Sequence, residues 1–183
     1  MYQANSSPKI LIAILLLFPT IIVGQQPTPK TPPCESSEAK QFDFMVGEWR
    51  GVERTPTDSK ITSTSEIQVK KVLSGCVIQE SWEFSAGGKR LFSAILLRSY
   101  DIGSRTWMLS YVDDGLNHQL YEGRKESGQW RFLRERFVEG KPVLVRITWT
   151  SLSSDKFEQL IERSEDKGTT WKTRAIVSYN RKK

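Results

Sequence analysis

Residues 118–163 run HQLYEGRKESGQWRFLRERFVEGKPVLVRITWTSLSSDKFEQLIER. Four segments of this stretch, His118–Arg124, Gln129–Phe137, Val143–Thr150 and Lys156–Arg163, are apolar or alternate apolar with polar residues. Ser127-Gly128 and Glu139-Gly140 separate the first three at hairpin length. Short runs rich in β-branched and aromatic residues, joined by glycine-bearing turns, read as antiparallel strands. The same pattern extends upstream through Glu48–Thr55, Ile61–Leu73, Cys76–Phe84, Leu91–Asp101 and Thr106–Val112, and downstream through Thr170–Asn180. The further breaks fall at Gly87-Gly88, Asp101-Ile-Gly103, Asp113-Asp-Gly115 and Glu165-Asp-Lys-Gly168. In the third, Asp-Gly is expected to supply the positive φ of a hairpin turn.

Ten strands at this spacing predict an all-β, up-and-down antiparallel meander. A meander that long must close on itself to lose its edges, so a barrel is expected. Trp49, Trp82, Trp107, Trp130, Trp149 and Trp171 fall on six different strands, as large side chains filling a barrel would. Ahead of the first strand, Ser36–Val46 reads as a short helix: Ser36 or Ser37 caps it, Phe42, Met45 and Val46 share a face, and Gly47 ends it.

The N-terminus reads as an export signal. After Lys9 an apolar block runs from Ile10 to Val23, too short to span a bilayer, and cleavage is expected after Gly24. An uncleaved anchor is the alternative. Residues 25–33, QQPTPKTPP, carry four prolines and read as an extended linker, which leaves 34–183 as one domain. An exported protein, periplasmic or secreted, meets oxidising conditions, so the two cysteines, Cys34 and Cys76, are expected to form one disulfide rather than stay free thiols.

Composition limits the remaining function classes. With 183 residues, 38% hydrophobic and 26% charged, the chain can bury a core and is neither collagen-like nor disordered. His118 is the only histidine, which excludes a multi-histidine zinc site, and no metal or cofactor is expected. The net charge of +6 is scattered, with Arg181-Lys-Lys183 its only dense cluster, so no nucleic-acid partner is expected.

The segment Phe42-Asp-Phe-Met-Val-Gly-Glu-Trp49 resembles the start of calycin barrels, where a short helical turn leads into Gly-x-Trp on the first strand. In that group the Trp plugs one end of the barrel against a basic residue of the last strand, which here implies Arg174 or Arg181. More closely, the chain resembles the bacterial exported, lipocalin-like proteins of domain-of-unknown-function family 1579 (DUF1579). The matching blocks are FDFMVGEW, Gly75–Trp82, Tyr100-Asp101 with Trp107, Tyr111–Gly115, Gly140–Val143 with Arg146–Trp149, Gln159–Ser164, and Asp166–Gly168 with Thr170-Trp171. Met45 and Lys167 depart from the family pattern, where an aromatic residue and a glycine are usual. The resemblance implies a lipocalin-like barrel and an exported protein, and supplies no chemistry.

Strand parity nominates a site. Glu80 shares a face with Ile78, Trp82 and Phe84, and Arg146 shares one with Leu144 and Thr148. If both point inward they form a charged pair within an apolar cup, where Arg can hold a ligand carboxylate with two parallel hydrogen bonds. Outer-face charges, or an ion pair of purely structural value, are the alternative. The expected ligand-binding residues are Glu80, Trp82, Trp107 and Arg146, and the expected ligand is a small apolar or amphipathic molecule. A filled barrel acting through its surface is the second reading. An enzyme, drawing on Glu80, Asp113, Asp114 or Glu162 with Tyr111 or Tyr121, is the third, although no catalytic spacing marks it. His118 would be the sole candidate axial ligand in a haem-binding barrel.

Overall fold

In the computed structural model, which describes residues 33–57 and 60–183, ten antiparallel strands follow one another around a closed barrel. They are β1 (Gly47–Arg54), β2 (Ile61–Val72), β3 (Val77–Ala86), β4 (Lys89–Asp101) and β5 (Thr106–Asp113). β6 (His118–Glu126), β7 (Gln129–Val138), β8 (Lys141–Ser153), β9 (Lys156–Ser164) and β10 (Lys172–Arg181) complete the wall. Each strand pairs with its chain neighbours, and β10 closes on β1 with Trp49 opposite Arg181. The expected meander is the observed one. The signal sequence expected over 1–24 and the linker expected over 25–33 lie outside the described residues, Pro33 excepted.

Alternation sorts the wall into two faces. The inward set includes Trp49, Ile67, Val69, Trp82, Leu96, Leu109, Phe132, Ile147, Phe157, Val177 and Tyr179, which pack into a single core. Five of the six tryptophans are buried there; Trp171 lies just ahead of β10, half-buried, its indole N–H on the Gly168 carbonyl at 3.0 Å.

Two local expectations are corrected. Ser36–Val46 is not a helix: turns lead into a one-turn 3-10 helix at Asp43–Met45, with Asp43 N–H bonded to the Lys40 carbonyl and Met45 N–H to Phe42. An α-helix would turn Phe44 away from Phe42 and Met45, yet all three pack into the barrel end, and burying them outweighs helical hydrogen bonding. In the β5–β6 turn the left-handed residue is Leu116 (φ 64°), while Asp113 accepts bonds from the N–H groups of Gly115 and Asn117.

One end of the barrel is plugged by the segment before β1. Phe42 meets Trp107 edge-on at 4.8 Å and Trp130 at 4.9 Å, and the Gln41 side-chain oxygen accepts from both indoles, at 3.3 and 3.2 Å. Trp49 donates to the Met45 carbonyl at 2.6 Å. Of the two basic partners the resemblance implied for Trp49, Arg181 fills the role: its guanidinium lies 4.1 Å from the Trp49 ring and donates to the Val46 and Phe44 carbonyls at 2.7 and 2.8 Å. The Cys34–Cys76 disulfide ties the start of this segment to the β2–β3 turn. Closing a loop of sequence separation 42 is worth about 4 kcal/mol on the chain-entropy account.

Large rings fit inside because two glycines lie opposite them. Gly51 pairs with Tyr179, and Gly123 pairs with Phe132. A methyl group on Gly123 would come within 2.5 Å of the Phe132 ring and 2.6 Å of the Arg131 carbonyl; on Gly51 it would meet Tyr179 at 2.5 Å and also the Ser65 hydroxyl. Gly51→Ala and Gly123→Ala are each expected to lower stability by about 1–3 kcal/mol through overpacking, read as a lower denaturant midpoint at unchanged m-value.

Candidate functional site

Above the plug the barrel interior holds a cavity of about 200 Å³. Trp82, Phe84, Leu96, Leu109, Ile147 and Val177 supply its apolar wall. Its polar groups are Glu53, Tyr111, Gln119, Tyr121, Gln159 and Tyr179. The mouth lies at the end away from the N-terminal plug, where Glu53 and Phe84 near their strand ends. A groove of about 670 Å³ also crosses the outside of β1–β5, but it is wide open, and Lys182 within it pairs with Glu66 at 2.9 Å and Glu48 at 3.6 Å.

The floor of the interior is a buried ion pair. Glu80 on β3 receives the Arg98 Nε–H from β4 on one carboxylate oxygen and the Trp82 indole N–H at 3.0 Å on the other. Neither side chain of the pair has any solvent exposure. The other two Arg98 nitrogens have no hydrogen-bond acceptor; the guanidinium lies instead 4.1 Å from the Trp149 ring, 4.7 Å from Phe42 and 5.4 Å from Phe132. Ring faces thus take the place of acceptors, through cation–π attraction strengthened by the absence of water.

The structure therefore divides the four residues nominated from sequence. Trp82 lines the cavity, and Glu80 lies inward behind it, held by Trp82 and Arg98. Trp107 belongs to the plug. Arg146 is on the outer face and does not meet Glu80: directly across the β8–β9 pair is Glu162, which it binds at 2.8 Å while stacking 4.0 Å over Trp171. Closure turns Val145, Ile147 and Trp149 inward, so their alternating partner Arg146 must face out. Arg98 was the partner the sequence reading missed. Its neighbours Ala94, Ile95, Leu96 and Leu97 are apolar on both faces, so parity alone does not say which face of β4 is inside. His118 is exposed on β6, its ring nitrogen 3.4 Å from Ser110, and contributes nothing to the cavity.

Three phenols around the cavity resist ionisation. Tyr179, fully buried, is held well above the usual phenol range by burial and then by the Glu80 and Glu53 charges. Burial also raises Tyr111, whose O–H donates to Asp113 at 2.8 Å. Tyr121 is raised by burial too, against the opposing pull of Arg134 and Arg136. Tyr179 and Tyr121 donate to the Gln159 and Gln119 side-chain oxygens, both at 2.9 Å. All three are thus neutral donors at neutral pH.

Comparison with known proteins bears on the fold. No family model matches the chain, and no curated protein matches it. An S-type phycobiliprotein lyase from Guillardia theta is similar in structure, with a TM-score of 0.54, 18% identity, and coverage of 81% of this chain and 94% of the lyase. A DUF3598-family protein of unknown function from Nostoc punctiforme aligns at 11% identity over 80% of this chain and all of its own length, but its TM-score of 0.25 carries no weight. The class reached is therefore a closed ten-stranded lipocalin-like barrel.

Two outcomes are expected from this geometry. Glu80→Met or Arg98→Met alone is expected to cost about 3–5 kcal/mol in a denaturant titration, because the remaining charge is buried without its partner; the double variant is expected to cost less than either single one. Phenolate absorbance is expected to show Tyr111, Tyr121 and Tyr179 still protonated at the pH where ordinary tyrosines ionise. Because the folded state keeps these protons while the unfolded chain releases them near pH ~10, stability is full below that pH and falls as pH rises above it.

Proposed function

We propose that this protein is an exported barrel of the DUF1579 type that binds a small apolar or amphipathic molecule in its interior. The cavity carries this reading: an apolar wall interrupted by a few hydrogen-bonding groups, above a rigid floor, is the usual construction of a small-molecule site. The fold shared with a phycobiliprotein lyase supports a barrel adapted to a ligand and names none. Export rests on the apolar block at 10–23, and periplasmic or secreted location follows from it; the disulfide is in keeping with an oxidising compartment. The DUF1579 assignment rests on the sequence blocks from Phe42 to Trp171.

The volume constrains the occupant. A cavity of about 200 Å³ exceeds the ~150 Å³ that admits a benzene-sized molecule, and falls short of the ~300 Å³ at which pockets for larger ligands begin. A ring or a short chain fits inside, and any larger ligand must extend through the mouth. A second reading, action through the outer surface, draws on one observation: Ile95, Leu97, Val112 and Leu120 are exposed, with Val112 opposite Ile95 and Ser110 opposite both Leu97 and Leu120.

Native mass spectrometry of the protein recovered from a periplasm decides between them. The first reading expects a native mass above the denatured one by the mass of a small molecule, and loss of that increment in Val177→Phe or Ile147→Phe, which fill the cavity. No increment, together with no binding of added apolar probes to the folded protein, would count against interior binding and leave the exposed apolar face as the active surface. The denatured mass tests cleavage after Gly24 and the two hydrogens lost on forming the disulfide.

A further inference from the structure

Cross-strand register places a cluster of cations on the inner wall just above the cavity. The row Gly123, Phe132, Ile147, Ile161, Ala175 crosses β6–β10, and Ile147 and Ile161 line the cavity. The next inward row towards the mouth, about 7 Å along the strands, consists of Arg134, Val145, Arg163 and Lys172 in direct register. The irregularity between Thr173 and Ala175 is what keeps Lys172 in phase with Arg163. Arg136, in phase with Arg134, is opposite Val143 one step further out. The Arg134 guanidinium lies 5.0 Å from the ring of Tyr121, itself a cavity residue.

These cations have few acceptors, the Tyr121 hydroxyl beside Arg134 being one. The Nε atoms of Arg134 and Arg163 are shut off from solvent without a hydrogen-bond partner. Among the described residues, the one carboxylate paired with the row is the exposed Glu165, 3.3 Å from an Arg163 nitrogen. Two acids at the mouth are already engaged: Glu53 accepts from the Thr62 and Ser63 hydroxyls, and Asp113 from Tyr111, Gly115 and Asn117. A buried guanidinium N–H without an acceptor is unfavourable, and a carboxylate is its best geometric complement. We propose that Arg134 and Arg163, backed by Arg136 and Lys172, hold the carboxylate of an amphipathic anion whose apolar body occupies the cavity. This rests on interior binding and specifies the class of ligand.

Calorimetric titration of the delipidated mature protein with octanoate and with octanol tests it, since the two probes share an apolar chain and differ in charge. Octanoate is expected to bind at least about tenfold more tightly than octanol. Arg134→Gln with Arg163→Gln is expected to remove that preference while leaving octanol binding unchanged. Arg134→Lys with Arg163→Lys is expected to retain part of it, and Arg131→Gln, on the outer face of β7, all of it. If both probes bind equally to the wild-type protein, interior binding stands and the anion site falls. If the glutamine variants lose both probes equally, the arginines are structural and the proposal falls. If neither probe binds, interior binding itself fails, and this inference with it.

Discussion

The buried Arg98 cation, held by Glu80 and enclosed by Trp149, Phe42 and Phe132, is the interaction to which the rest of the interior is fitted. It joins three parts of the chain. Phe42 comes from the N-terminal plug, Phe132 and Trp149 from β7 and β8, and the ion pair from β3 and β4. Desolvating a charge is tolerable only if every neighbour is in place, so the arrangement favours one packing over loosely collapsed alternatives. Through its bond to Glu80, Trp82 is fixed at the point where floor becomes cavity wall.

From this floor the two ends of the barrel diverge. The plugged end is over-determined: Arg181, Gln41, the aromatic cluster and the disulfide all fasten the segment before β1 across it. The opposite end has no such cover among the described residues, and its inner wall changes from aliphatic to polar and cationic within two rows. A site needs both conditions, a rigid base and an accessible rim. The paired glycines Gly51 and Gly123 serve the same division, admitting Tyr179 and Phe132 low in the barrel so that the volume above stays free.

Much of this was legible from residue order. The ten strands emerged within a few residues of their observed limits because most are short apolar or alternating runs ended by glycine or aspartate, and such signals are local. Glu80 was recognisable as a carboxylate among apolar neighbours on one face. Arg134 and Arg136 carry the same signal, being in phase with Trp130 and Phe132. Arg146 shows the limit of parity, which separates two faces without saying which of them closure turns inward.

By itself the sequence determined the strands and their up-and-down order, because periodicity, turn chemistry and chain connectivity act over a few residues. The cysteine pair followed from there being just two cysteines in a chain expected to be exported, and the Trp49 plug was implied by resemblance to calycin barrels. Only the tertiary structure decided that Glu80 meets Arg98 rather than Arg146, and that Arg134, Arg163 and Lys172 share one rim. Those pairings depend on strand register, summed across turns and irregularities around a closed sheet, and a shift of one residue would turn each side chain to the other face.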